Sequence, residues 1–151
     1  MAERHIYDMI VVGGGPGGYT AALYAARAGF DTLVLEQLSA GGQMALTEQV
    51  DNYPGFEEGI DGFTLAEKMQ RQAERFGAGT EYAQVDRLDL AAEPKVLETS
   101  EGTYFARTVV IATGASPREL GLPNEAGLVG RGVVFRAAFL VRRYKDKTVG
   151  G

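Results

Sequence analysis

A short apolar run, Met9-Ile10-Val11-Val12, opens directly onto Gly13-Gly14-Gly15-Pro16-Gly17-Gly18, and Glu36 follows 21 residues after Gly15. A strand, a turn stripped of side chains and then a helix are the opening of a βαβ unit. In a G-x-G-x-x-G reading, Gly13 permits the tight turn out of the strand, Gly15 lets backbone approach a diphosphate, and Gly18 lets the helix pack closely on the sheet. The helix that starts near Pro16 turns unpaired N–H groups and the positive end of its dipole toward the same spot. Glu36 ends a second apolar segment, Thr32-Leu33-Val34-Leu35. A carboxylate there accepts hydrogen bonds from ribose hydroxyls and repels a ribose phosphate, so FAD or NAD is expected rather than NADP. Plainer readings stand beside these. In a chain with 21 glycines such a pattern also arises in ordinary turns, and Glu36 by itself reads as a solvated surface acid. Their occurrence together, in this order, favours the nucleotide.

Composition narrows the alternatives. At 151 residues the chain is long enough for one ordinary domain with a core, and 45% apolar with 23% charged residues is the balance of a soluble globular protein. No stretch approaches the ~20 apolar residues needed to span a bilayer, and Met1-Ala2-Glu3-Arg4-His5 leads into too short an apolar segment for a signal peptide. A cytoplasmic protein without a membrane partner is expected. A net charge of -5 argues against a nucleic-acid surface. The one basic cluster, Arg131, Arg136, Arg142, Arg143, Lys145 and Lys147, reads as a solvated face. There is no cysteine and a single histidine, His5, so a disulfide, a thiolate nucleophile, a cysteine metal site and a Ser-His triad are excluded or disfavoured within this chain. Chemistry must come from a bound cofactor or be absent.

Residues 6 to 12 read as a buried parallel strand and residues 16 to 28 as an Ala-rich helix closed by Gly29. From Ser39 to Gly55 the chain reads as a long polar loop, a feature that is usually functional in compact domains. Residues 62 to 76 regain helical spacing, with Phe63, Leu65, Met69 and Phe76 on one face, Asp61 as cap and Gly77 as stop. Short strands follow at 82–90, 95–99 and 103–105, with a turn at Glu101-Gly102, and a parallel strand resumes at Thr108-Val109-Val110-Ile111. The predicted fold is α/β: a Rossmann-like, three-layer domain with a parallel sheet and an inserted small antiparallel β-meander. Ala112-Thr113-Gly114 leaves room for a ligand at the carboxyl edge of that sheet, and taken alone reads equally as a strand-ending turn.

With the opening motif, Gly41-Gly42-Gln43, Asn52-Tyr53-Pro54-Gly55 and Ala112-Thr113-Gly114-Ala115 all in order, the chain resembles the bacterial low-molecular-weight thioredoxin reductases. Tyr24-Ala25-Ala26-Arg27-Ala28, Leu120-Gly121-Leu122-Pro123 and Gly130-Arg131-Gly132-Val133 extend the match, which runs from about Tyr7 to Asp146. The resemblance implies an FAD-binding domain over residues 1–115 and, over 116–151, a crossover toward an NADPH domain. It implies that Gly13, Gly15, Pro16, Gly17 and Gly18 hold the diphosphate and that Glu36, with Gln37 beside it, holds the adenosine ribose. Gly41, Gly42 and Gln43 would line the path to the flavin, Thr47 and Asn52 would reach the isoalloxazine, Val85 would meet the adenine through its backbone, and Ala112, Thr113 and Gly114 would close over the cofactor. Each has a plainer alternative: Thr47 as a polar loop residue, Asn52 and Pro54 as turn residues, Val85 as core.

Two departures from the family pattern weigh more than the matches. Where the family has Cys-Ala-Thr-Cys-Asp, this chain has Arg136-Ala137-Ala138-Phe139-Leu140, so Arg136 and Phe139 stand at the cysteine positions and no catalytic residue is expected. Thiol–disulfide exchange needs an attacking thiolate and a partner sulfur, which neither side chain supplies. The sequence also stops where the family begins its second nucleotide-binding strand, so the expectation is a chain without the NADPH domain and without the returning part of the FAD domain. The expected function is therefore the FAD-binding portion of a thioredoxin-reductase-like oxidoreductase, inactive toward thioredoxin by itself, with exposed sheet edges favouring a homodimer or other self-association. Two readings stay open beside it: a non-catalytic nucleotide-binding or assembly module, and a cysteine-free flavin electron-transfer protein.

Overall fold

Strand β1 (Tyr7–Val12) pairs in parallel with β2 (Thr32–Glu36) on one side and with the second half of β6 (Gly102–Ile111) on the other. These belong to a six-stranded mixed sheet in the order β3-β2-β1-β6-β5-β4, in which β3 (Gly79–Tyr82) runs parallel to β2, while β4 (Val85–Asp89) and β5 (Lys95–Thr99) run antiparallel to their neighbours. The computed structural model describes residues 4–116, 118–129, 131, 133 and 148, which belong to two units, Met1–Gly114 and Ala115–Gly151.

Alternation along the central strands divides the apolar side chains between two cores. Val11 and Val34 point toward helices α1 (Pro16–Arg27) and α2 (Gly62–Arg75), where they pack with Tyr19, Ala22, Ala26, Ala66 and Ala73. Ile10, Val12, Leu33 and Leu35 point the other way and pack with Leu97 of β5 and Ala106 of β6. Leu97 lies two strands away from β1 in the hydrogen-bonding order, so it reaches this core only because the β4-β5-β6 meander folds over the second face. Helices, parallel strands and meander form three layers. Each fully buried Ile, Leu or Val between them contributes about 1.5–3 kcal/mol.

Strand β6 is continuous where the sequence suggested two pieces. Residues 102–106 pair with β5 and residues 106–111 with β1, and Ala106, fully buried, lies opposite both Lys95 and Tyr7. No Gly or Pro interrupts this segment between Thr103 and Ile111, so nothing in it ends a strand. Conversely, the stretch expected as one strand from Tyr82 to Leu90 divides: β3 extends the parallel ladder, Ala83 donates its N–H to the Glu36 carbonyl (2.9 Å), and β4 enters the meander.

The buried face of α2 also differs from the sequence reading. It is built on Gly62, Leu65, Ala66 and Ala73, with Phe63 54% and Phe76 40% exposed, because a helix lying close against its neighbours needs small side chains there. Asp61 caps this helix as expected, its Oδ1 accepting the Thr64 N–H at 2.8 Å, and hydrogen bonding from the Thr64 hydroxyl, then from its N–H, holds the Asp61 carboxyl below the usual carboxylate range. The polar loop after β2 is not featureless: it contains a 3₁₀ turn, Gly42–Leu46, and an antiparallel bridge from Val50 to Ile60.

In the second unit, the single turn α3 (Glu125–Leu128) is held by the Glu125 carboxylate, which accepts the N–H groups of Leu120 (2.9 Å) and Leu122 (3.1 Å). These bonds keep the Glu125 carboxyl below its usual range. Arg136 and Phe139, with the rest of the stretch 134–147, lie outside the described residues.

Candidate functional site

Three strand ends meet at the carboxyl edge of the sheet. The Gly13 N–H donates to the Leu35 carbonyl (2.8 Å), joining the turn after β1 to the end of β2, and the Ala112 N–H donates to the Val12 carbonyl (2.8 Å), joining it to the end of β6. The glycines of this corner do two kinds of work. Gly13 sits at φ +105°, and a Cβ there would overlap the Ala112 carbonyl; a Cβ on Gly18 would overlap the Gly13 carbonyl oxygen. These two close the protein on itself. Around Gly15 and Gly17 an added Cβ meets no protein atom within 4 Å, so the outer side of the loop is bare backbone with room beside it.

Helix α1 starts at that open surface. Gly15 is its N-cap, Pro16 occupies the first helical position, no side chain caps the end, and no acid lies in the first turn. Helix α2, by contrast, carries its own capping carboxylate. The leading N–H groups of an uncapped helix, together with its dipole, make an anion site. A diphosphate fits this cradle of open backbone.

Glu36 is drawn into the corner rather than left in solvent. Its Oε2 accepts the Gly14 N–H at 2.5 Å, and its Oε1 accepts the Gln37 N–H at 2.8 Å. A carboxylate offers about four acceptor positions, so two close bonds leave capacity for donors such as ribose hydroxyls. Gln37 donates from Nε2 to Gln84 Oε1 (3.1 Å), tying the end of β2 to the start of β4, where Val85 is half-buried. Under the loop lies Tyr19, 1% exposed, with its hydroxyl facing Thr80 without a well-formed hydrogen bond. Burial pushes the Tyr19 phenol up to about 12, and it stays neutral.

A second arm leaves the corner at Gly41, whose N–H donates to the Gly14 carbonyl (2.7 Å). Beyond it the 3₁₀ turn carries Gln43, exposed, and ends at Thr47, half-buried. Asn52 lies further out, with Tyr53, Pro54 and Phe56 around a surface cavity of about 330 Å³. No hydrogen bond among the described residues joins Asn52 to the glycine corner. The structure thus gathers Gly13 to Gly18, Glu36, Gln37, Gly41 and Ala112 directly. Gly42, Gln43 and Thr47 follow on the attached turn, Thr113 and Gly114 continue exposed beyond Ala112, and Asn52 stays apart. Two residues of this neighbourhood were not singled out from the sequence, Gly62 and Ala66, on which the 3₁₀ turn rests. The available signal was a glycine, a poor helix former, directly after a capping aspartate.

Among the described residues no group of three or more His, Asp or Glu side chains is disposed to hold a metal, and no helix is long and apolar enough to cross a membrane.

The family model for pyridine nucleotide-disulphide oxidoreductases matches residues 7–148. The chain is similar along 100% of its length to the thioredoxin reductase of Bacillus subtilis (strain 168), with 44% identity and coverage of 48% of that protein. It is also 42% identical, over 100% of its length, to a glucosaminate ammonia-lyase of Pseudomonas fluorescens, covering 48% of it. The crystal structure of thioredoxin reductase from Streptococcus pyogenes MGAS5005 superposes with a TM-score of 0.79 at 40% identity, over 90% of this chain and 44% of that one. The chain spans about half the length of the curated relatives it matches. A glycine corner at the carboxyl edge of a Rossmann-like sheet, and a match over nearly the whole sequence, lead to one conclusion: the chain belongs to the pyridine nucleotide-disulphide oxidoreductase family.

Proposed function

We propose that residues 1–115 form the FAD-binding portion of a thioredoxin-reductase-like flavoprotein, followed over 116–151 by a crossover segment. The observation that carries this reading is the open backbone at Gly15 and Gly17 before an uncapped helix, with the Glu36 carboxylate bonded into the same loop. The N–H groups of the loop and of the first turn of α1 would hold the diphosphate, and Glu36 would take the ribose hydroxyls while repelling a phosphate at that sugar. Gln43 and Thr47 would meet the cofactor farther along. The chemistry a flavin supplies when bound is reversible two-electron transfer; the protein orients it and keeps competing reactions out.

This chain carries no cysteine, so it has no thiol with which to pass electrons to thioredoxin. On this reading the chain by itself is expected not to reduce thioredoxin. Purified chain incubated with FAD and passed through gel filtration is expected to retain flavin near one per chain, with altered flavin fluorescence. A folded, colourless product that ignores FAD refutes the proposal. The likeness to a relative named for an ammonia-lyase favours a second reading, in which the same binding element serves an acceptor or reaction other than disulphide reduction. Transfer of electrons from photoreduced, protein-bound flavin to an artificial dye tests that reading, and transfer no faster than from free flavin counts against it.

A further inference from the structure

We propose that the first turn of α2 sets the distance between the diphosphate corner and the turn that carries Gln43 and Thr47, with Gly62 and Ala66 acting as positioning residues for the flavin half of the dinucleotide. This rests on the FAD reading and adds to it an element joined to the phosphate loop through the 3₁₀ turn, by the Gly41–Gly14 bond.

The 3₁₀ turn is fastened at both ends. At its start, Gly41 donates to the Gly14 carbonyl (2.7 Å) and receives the Met44 N–H on its own carbonyl (3.1 Å). At its end, the Thr47 N–H bonds the Met44 carbonyl (3.0 Å), and the Thr47 carbonyl accepts the Gly62 N–H (2.9 Å). The packing between turn and helix has no slack. A Cβ on Gly62 would overlap the Met44 carbonyl oxygen and lie 2.8 Å from the Thr47 carbonyl oxygen, and a Cβ on Gly41 would overlap the Ala66 methyl. The obstacles are backbone carbonyls and a methyl on a helix, none of which can rotate away as the end of a long side chain would. One added methyl must therefore move the turn or the helix as a body.

The groups that would hold the ADP half are supported elsewhere. Gly13 is tied to Leu35 and lies against Ala112, Gly18 packs on Gly13, and Glu36 bonds Gly14 and Gln37. The α2 turn thus bears more directly on the turn that carries Gln43 and Thr47 than on the phosphate loop, which it reaches through the Gly41–Gly14 bond. Comparing FAD with ADP on the same variant reads out that separation, which a general loss of stability does not produce.

The experiment measures FAD and ADP affinity by titration for wild type, Gly62→Ala, Ala66→Val and Ala73→Gly. Ala73 is buried in the same helix away from the turn, and its replacement destabilises α2 as a control. Gly62→Ala and Ala66→Val are expected to weaken FAD by about tenfold or more while ADP changes by less than about twofold, and to alter the visible circular dichroism of bound flavin. Ala73→Gly is expected to lower the melting temperature with the ratio of the two affinities unchanged. Equal loss of FAD and ADP in both turn variants, or unchanged FAD affinity in them, overturns the inference. If Gly62→Ala fails to fold, Ala66→Val decides alone. Wild type that binds neither ligand overturns the FAD reading itself and this inference with it, an outcome distinct from failure of the α2 assignment.

Discussion

Replacing Gly15 and Gly18 one at a time by alanine separates binding from folding at this corner. Gly15 lies at φ -79°, ψ -176°, a conformation any residue adopts, and its Cβ would meet nothing within 4 Å. Alanine there gains about 0.4–1 kcal/mol by restricting the unfolded chain and loses several tenths as a poorer N-cap than glycine, so the net change is about zero. At Gly18 the new Cβ overlaps the Gly13 carbonyl, and such overpacking costs about 1–3 kcal/mol, or roughly 3–10 °C in melting temperature for a chain of this size. Ligand works in the opposite sense. FAD at about one hundred times its dissociation constant stabilises by about 2.7 kcal/mol, and a tenfold loss of affinity from a methyl standing in the diphosphate path halves that to about 1.4 kcal/mol. Thermal unfolding of the three proteins with and without FAD is the assay. Gly15→Ala should melt like wild type without ligand and respond half as much to FAD, while Gly18→Ala melts early in both conditions. If Gly15→Ala melts as early as Gly18→Ala without ligand, or keeps the full FAD response, the division of the glycines into closing and open ones is wrong.

Glu36→Ala leaves the Gly14 N–H without its partner and is expected to cost about 1 kcal/mol in a urea titration, besides weakening FAD; an unchanged midpoint would mean that the bond to Gly14 contributes nothing. Leu97→Ala is expected to lose about 2–5 kcal/mol, since Leu97 is fully buried against β1 and β2, and a loss well below that range in chemical denaturation would argue against a meander folded over the second face. Asp61 titrates lower in the folded protein than in the unfolded chain, so its cap contributes fully above the unfolded carboxylate value and is lost as pH falls through the folded one. Acid titration followed by far-ultraviolet circular dichroism should show that loss in wild type and not in Asp61→Asn, which keeps a capping oxygen that does not titrate.

What could be read from the residues was local. The apolar runs before Gly13 and Glu36 carry strand character and the glycine corner within themselves, and Asp61 and Gly77 bracket α2 by capping chemistry that depends on immediate neighbours. Phe63 was misplaced because periodicity counts hydrophobicity, whereas the contact with α1 and the 3₁₀ turn selects for small volume, which Gly62, Ala66 and Ala73 supply. The joining of Thr103–Phe105 to Thr108–Ile111 was missed because one strand changes partners at Ala106, an event set by long-range pairing that leaves no mark in the residues themselves. For the site, the spacing of Gly13, Gly15, Gly18 and Glu36 carried the corner, while the hydrogen bond that draws Glu36 onto Gly14 and the support of the 3₁₀ turn by Gly62 depend on where distant segments meet.

Because β6 belongs to both ladders, the meander and the floor of the site cannot choose their alignments separately. A slip of one residue along β6 advances its end by about 3.3 Å and turns each of its side chains to the opposite face. Such a slip would drive Ala112 into the space that Gly13 needs and turn Ala106 out from between Lys95 and Tyr7. Errors made in the distal hairpin are thereby coupled mechanically to the glycine turn after β1.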